Sequence, residues 1–413
     1  MKFLALIVLA GLLVVPCHAE DAAATPMHQH ESLVAQDSSG TSWQPASGPE
    51  FMWMTSARSW MLMAHGELIA SYYQSGGTRG VGKGGSTNWL MLMEQHSMGR
   101  GTIEFRQMLS AEPLTSPHPG YPTLFQTGET YKGVPLVDYQ HPHDVFGELS
   151  VRLTYPLAER ASWFFYGAPA GEPALGPTAF LHRISAAEDP LAPLGHHLQD
   201  STHIVYGVVT SGLTAGPVKI EGSAFNGREP DESRYNFDFA PLDSWSARVS
   251  AAPGRNWVAQ YSYGHLVNPE ALDPGDVDRQ TASIAYNRTF ASGYWATTLI
   301  WGRNHKAAID RNPNSYLIES TFNFAEKNYL YTRLELVDKD ELDLEGALAA
   351  RSFRIGSYTF GGVRDVIHNS HGQVGLGVGV TFYSKPSVLD PIYGQNPVSF
   401  NVFLRLRPGQ MEM

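Results

Sequence analysis

The sequence predicts an all-β fold, a transmembrane antiparallel up-and-down β-barrel of about 16 strands. Three observations carry this reading. From Ser59 to Arg407, stretches of roughly ten residues alternate apolar and polar side chains, one face suited to lipid and the other to a polar lumen. The connectors alternate short and long, as expected for short periplasmic turns and long extracellular loops. After the N-terminal leader no apolar run approaches the length that a spanning helix needs.

The chain opens with Met1 and Lys2, an apolar run from Phe3 to Val15, and then Pro16, Cys17, His18 and Ala19. This predicts a secretory signal over residues 1–19, cleaved after Ala19. Pro16 argues against the alternative of lipidation at Cys17. Cleavage removes the only cysteine, so neither a disulfide framework nor a thiolate site is expected. It also removes Lys2, which makes the mature chain one unit more acidic than the formal −11 of the full sequence. That acidity argues against a nucleic-acid partner. Residues 20–58 form a polar segment without sustained period, periplasmic or lumen-facing, and the barrel is expected over 59–407, with a tail at 408–413.

Each strand is justified by its two faces. Trp60, Leu62, Ala64, Gly66, Leu68 and Ala70 oppose Met61, Met63, His65 and Glu67. Ile103, Phe105 and Leu109 oppose Glu104 and Arg106, and Leu149, Val151 and Leu153 oppose Glu148 and Arg152. Val218 and Ile220 oppose Lys219 and Glu221, Trp245 and Val249 flank Arg248, and Leu330, Leu334 and Leu336 oppose Arg333 and Glu335. In the last strand Phe400, Val402, Leu404 and Leu406 oppose Asn401, Phe403, Arg405 and Arg407. Short turns fall at 97–100, 156–161, 215–216, 253–256, 291–292 and 325–327. Long loops fall between them, at 74–86, 111–144, 170–202, 228–243, 267–278, 304–314, 339–349 and 384–397. A longer, irregular turn is expected around 362–370. Aromatics at strand ends, Trp163 to Tyr166, Tyr261, Tyr263, Tyr294 and Trp295, fit interfacial girdles. A soluble β-sandwich would have shorter strands and no parity in loop length.

Residues 59–407 resemble the bacterial outer-membrane β-barrels of the porin-like class. The resemblance implies a place in the outer membrane with both termini periplasmic, lipid and lipopolysaccharide as neighbours, insertion by the barrel-assembly machinery, and a homotrimer as an oligomeric state. Such barrels usually end on an aromatic residue. Here Arg407 is followed by Pro408, so the assembly signal is expected internally, between Phe400 and Leu406.

Methionine is the most unevenly placed residue. Eight of 12 fall in Met-x-Met pairs, at 52/54, 61/63, 91/93 and 411/413. In a strand, positions i and i+2 share a face about 6.6 Å apart, so each pair presents two thioethers together. Thioethers select Cu(I), with imidazole as co-ligand, and Met61, Met63, His65, Met91 and Met93 are the candidate soft-metal ligands. The alternative for such pairs is adaptable packing against an inner segment. The short segment Met27-His28-Gln29-His30 resembles the Met/His-rich lead-ins of copper-resistance outer-membrane barrels, which implies copper handling.

Histidine concentrates in or beside two long loops, at 118, 141, 143, 182, 196, 197 and 203. His141, His143 and Asp144, joined by His196 and His197, are candidates for Zn(II) or Cu(II). The alternative is a hydrogen-bonded loop folded into the lumen. Acidic loops at 273–278 and 338–345 suggest calcium, although Asp343 stands where a calcium loop needs glycine. The inward charges Glu104, Arg106, Glu148, Arg152, Lys219, Glu221, Arg248, Arg333, Glu335 and Arg405 are expected to line a pore or to neutralise one another in a filled lumen.

The leading functional expectation is a porin-like channel for small polar solutes or ions, constricted by loop 111–144 or 170–202. The alternative is a copper-binding barrel in resistance or export. An enzyme is not expected. An outer-membrane hydrolase would need a Ser–His pair oriented by a polar third group, and the sequence shows no such arrangement with a definite spacing.

Overall fold

The computed structural model describes residues 35–349 and 351–411. The secretory signal, the lead-in with Met27, His28 and His30, and Met413 lie outside the described residues. Sixteen long strands run up and down in sequence order: β1 (Trp60–Gln74), β2 (Gly82–Met98), β3 (Gly101–Leu109), β4 (Phe146–Ala158), β5 (Ala161–Ala170), β6 (Val208–Ala215), β7 (Val218–Phe225) and β8 (Ser244–Gly254). The second half is β9 (Trp257–Leu266), β10 (Val277–Phe290), β11 (Gly293–Lys306), β12 (Asn314–Phe324), β13 (Asn328–Lys339), β14 (Phe353–Asn369), β15 (Gly372–Ser384) and β16 (Val398–Arg407). Every neighbour pairs antiparallel and the sheet closes into a barrel.

Closure is made by two segments on one edge of β1. The half of β1 nearer the loops pairs with β16, with Phe400 opposite Gln74 and Leu406 opposite Leu68. The half nearer the turns pairs with a half-strand, Met52–Ala57, with Met52 opposite His65 and Ala57 opposite Trp60. The wall therefore begins at residue 52 rather than 59. The alternation that marks a strand is short here, because six residues carry only three to each face.

The seven connections at one end are tight, and the eight at the other end are long. The longer turn expected at 362–370 is absent: β14 continues to Asn369, and a register shift between Asp365 and Ile367 interrupts its alternation. A bulge adds one residue and breaks the period, which in sequence looks like a turn.

Apolar side chains on the outer face form a continuous belt, including Leu213, Ile220, Val249, Leu299, Leu330, Leu376 and Val402, with Trp163, Trp245, Trp257 and Trp295 among them. The girdle reading is corrected at Phe164, Tyr166 and Tyr294. These point inward and are buried, because alternation sends every second aromatic to the lumen. In β15 the inward glycines make room: a Cβ on Gly377 would sit 2.2 Å from the Phe403 ring.

The lumen is filled with protein. A small hairpin, Ala35–Asp37 paired with Trp43–Pro45, lies inside the turn end, where Trp43 packs on Ala252 and Val258. The 171–207 loop folds inward and is buried over most of its length. At the loop end Leu124, Phe125, Leu194, Leu198, Val337, Ile355, Leu389 and Tyr393 form one apolar cluster that ties both long loops to the wall.

Candidate functional site

The first candidate site follows from register. Met52 lies opposite His65, His65 opposite Met91, and Met91 opposite Met108. Two residues nearer the turns, Met54 lies opposite Met63, Met63 opposite Met93, and Met93 opposite Arg106. Period-2 alternation turns all of them inward, so two cross-strand rows bring six thioethers and one imidazole to a single patch. Met61 continues the patch one row further toward the turn end, opposite Ser56 and Gln95. His65 Nε2 is 3.1 Å from Met91 Sδ. The loop's His182 ring lies 5.8 Å from His65 and 4.7 Å from Trp89, and Trp89 meets His65 edge-on at 5.1 Å. Together these groups border a cavity of about 140 Å³ that also touches Met52 and Met93. Sequence reasoning named Met61, Met63, His65, Met91 and Met93 but placed neither Met52, Met108 nor His182 with them. The Met52/Met54 pair was the available signal, hidden by the late estimate of where the wall begins.

The second candidate site lies deeper, where the two long loops meet. His141 and His197 rings are 6.1 Å apart, His143 and His203 5.3 Å, and His196 and His203 5.0 Å. Phe180 packs between, 5.9 Å from His143 and 5.3 Å from His196. Each imidazole is held through Nδ1. His143 contacts Glu112 at 3.1 Å, His196 contacts Asp200 at 2.7 Å, His197 contacts Glu229 at 3.0 Å, and His203 contacts the Asp200 carbonyl at 2.8 Å. An ionised carboxylate or a carbonyl only accepts, so each Nδ1 carries a proton, and in the neutral form of the ring the lone pair lies on Nε2. Nε2 of His143, His197 and His203 is buried without a hydrogen-bond partner. Gly128 admits the His197 ring, since a Cβ there would lie 2.2 Å from it.

Electrostatics separates these histidines. Burial holds His141 and His203 well below the usual imidazole range. Burial acts the same way on His143, but the Glu112 carboxylate outweighs it and raises the pKa. Burial pushes Glu129 up to about 7 against the pull of Arg234.

Other predicted ligands are engaged elsewhere. Asp144 accepts from Tyr206 at 2.5 Å and Arg234 at 3.2 Å, and His141 uses Nε2 on Glu129 at 3.0 Å. His118 stays apart beside Tyr131. Among the described residues, the group of three or more His, Cys, Asp or Glu ligand atoms within 4.8 Å of one another is Glu270, Asp273 and Glu341. The Lys306 ammonium already occupies that place, 2.8 Å from Asp273 and bonded to Glu341. Ser201 accepts from Arg279 at 2.9 Å while His203 turns to the Asp200 carbonyl, so the two form no Ser–His pair.

No known family profile and no curated protein sequence matches the chain. Solved structures do. An anion-selective porin from Comamonas acidovorans superposes with a TM-score of 0.52 at 12% identity, covering 84% of this chain and 99% of that one. OmpF from Salmonella typhi gives 0.51 at 10% identity, covering 86% and 100%. The fold is that of the porins.

Inside this porin-fold wall, the ten predicted lumen charges do point inward, and what they face is protein. Arg106 donates to the Ser38 and Gly40 carbonyls and pairs with Glu104 at 2.6 Å. Arg152 pairs with Asp37 at 2.5 Å, and Glu148 accepts from Tyr166 at 3.0 Å. Lys219 sits over Trp43 and beside Glu221, which also pairs with Arg248 at 2.9 Å. Arg333 pairs with Asp189 at 3.0 Å and Glu319 at 3.1 Å, Glu335 accepts from the Gly195 amide, and Arg405 pairs with Glu188 and with Asp365 at 2.6 Å. Buried charges persist only when paired, and here hairpin and loop carboxylates complement the guanidinium groups of the wall.

Proposed function

We propose that the protein is an outer-membrane barrel that binds copper(I) at the thioether–imidazole patch facing the periplasm, with the short turns and both chain ends on that side. The observation that carries the reading is the register placing Met52, Met54, Met63, Met91, Met93 and Met108 beside His65 on one inward face. Clustered thioethers with imidazole form a soft donor set, matched to Cu(I) rather than to Mg(II), Ca(II) or Zn(II). The outer apolar belt and the porin fold support the membrane location. A filled lumen favours binding over free diffusion. The second reading, a channel for small polar solutes, draws on the porin fold alone.

Competition between the folded, detergent-solubilised protein and a chromophoric Cu(I) chelator tests the first reading. Wild type is expected to withdraw about one Cu(I) per chain, and M63L/M91L to lower the affinity tenfold or more. Leucine keeps the volume, so the variant should remain folded, with a loss of under about 1.5 kcal/mol per exchange. Equal affinity in both proteins refutes the assignment. Large ohmic steps in a planar bilayer would favour the channel.

A further inference from the structure

Four cavities lie in series through the filled barrel. The first, bordered by Met52, His65, Met91, Met93 and His182, opens near the turn end. The next shares Glu67, Trp89, Leu181 and Ala187 with it and reaches Glu112, His141 and His143. The third shares His141 and His143 with the second and is walled by His196, His197, His203 and Glu229. The fourth shares Glu129 with the third and lies among the long loops, between residues 128–136, 270–273 and 340–349. The turn Phe180–His182 forms the inner partition: His182 faces the methionines, Leu181 borders both inner cavities, and Phe180 packs on the histidines.

We infer that these cavities are a stepwise route by which the barrel passes copper(I) between its two ends, with the histidine chamber as a second station beyond the methionine patch. The inference rests on the copper reading proposed above. Three features of the chamber support it. His143, His197 and His203 have Nδ1 fixed by a carboxylate or carbonyl and a buried, unpartnered Nε2, the arrangement in which an outer acceptor orients an imidazole toward a metal. His143 and His197 are 8% and 7% exposed, so these lone pairs are withheld from bulk solvent. The three Nε2 atoms do not converge on one closed site, which suits an ion held by few donors at a time and passed on. An ion moving in this way exchanges thioether for imidazole donors and needs neither a redox partner nor an open pore. The carboxylates of Glu112 and Glu229 beside His143 and His197 offset the charge of the cation.

The experiment uses the full mature chain in liposomes loaded with Cu(I), with a membrane-impermeant Cu(I) chelator outside and Cu(I) binding titrated on the same preparation. The variant is H143N/H203N. An asparagine amide can replace the Nδ1–H donor to Glu112 or to the Asp200 carbonyl while removing Nε2. As a second variant, H197N does the same toward Glu229. Heat-modifiable gel mobility reports that each barrel is folded. The route predicts Cu(I) release by wild type at least tenfold above protein-free liposomes, and a tenfold or greater loss in either variant with binding at the methionine patch unchanged. Release at the protein-free rate with intact Cu(I) binding overturns the route and leaves the binding site standing. Release unaffected in both variants also overturns it. Absence of Cu(I) binding by wild type overturns the function proposed above and the route with it.

Discussion

From the half-strand to β3 the lumen wall carries the thioethers and His65 beside Glu67, Glu104 and Arg106; from β12 to β16 its inward charges Glu319, Arg333, Asp365 and Arg405 dominate. Both stretches follow the same alternation and both face the same inserted loop. They differ in what they ask of it. Arg333 and Arg405 bind Asp189 and Glu188 of the 171–207 loop, and the loop's Arg183 returns to Glu319 at 2.6 Å, so the charged side fixes the loop in place. The sulfur side receives Leu181, His182, Arg183, Ile184 and Ala187 and keeps a cavity between. One side locks and the other leaves a space where soft donors stand among charged groups such as Glu67, Arg106 and Arg407.

Breaking the lock should produce the largest effect. R333M strands Asp189 and half-strands Glu319, and removal of one partner of a buried pair costs about 3–5 kcal/mol. Urea unfolding in lipid vesicles should show that loss, with Cu(I) affinity at the methionine patch unchanged. If the variant loses nothing, the loop is not held by these pairs.

Glu172, at the start of the same loop, sharpens the comparison through pH. Burial pushes its carboxyl up to about 8, and Arg248 at 3.8 Å only partly opposes this. A folded-state pKa above the unfolded value of 4.5 means that the protonated form stabilises the fold. That stability is fully present below about pH 4.5 and is lost as pH rises through about 8. E172Q keeps a neutral group, so it should outlast wild type above pH 8 by on the order of a few kcal/mol and match it near pH 4. Parallel stability curves for the two proteins would contradict this.

The smallest effect is expected outside the lumen. Arg228 and Asp243 pair at 2.8 Å on an exposed loop, and R228A should change stability by less than about 1 kcal/mol in the same unfolding assay. A larger loss would mean that the surface loops, rather than the lumen pairs, hold the fold.

The wall was legible because each strand writes its two environments into alternate residues. Strand order, the parity of connectors and the inward direction of Glu104, Lys219 or Arg405 all follow from that period. The contents of the lumen were not. Nothing in the sequence states that the acidic groups Glu188 and Asp189 answer arginines more than 140 residues away. The 141/143 and 196/197 histidines were visible as types, yet their proximity depends on two loops meeting inside a barrel. The methionine patch stood between these cases. Each Met-x-Met pair was readable alone, whereas the rows joining Met52 to Met108 needed the strand register.

The most direct test of the central claim is X-ray absorption at the copper edge on the Cu(I)-loaded wild-type protein. A site built from Met63, Met91, Met93 and His65 predicts sulfur scatterers from more than one thioether together with imidazole nitrogen. A shell of nitrogen and oxygen alone would place copper away from the methionine patch and contradict the account.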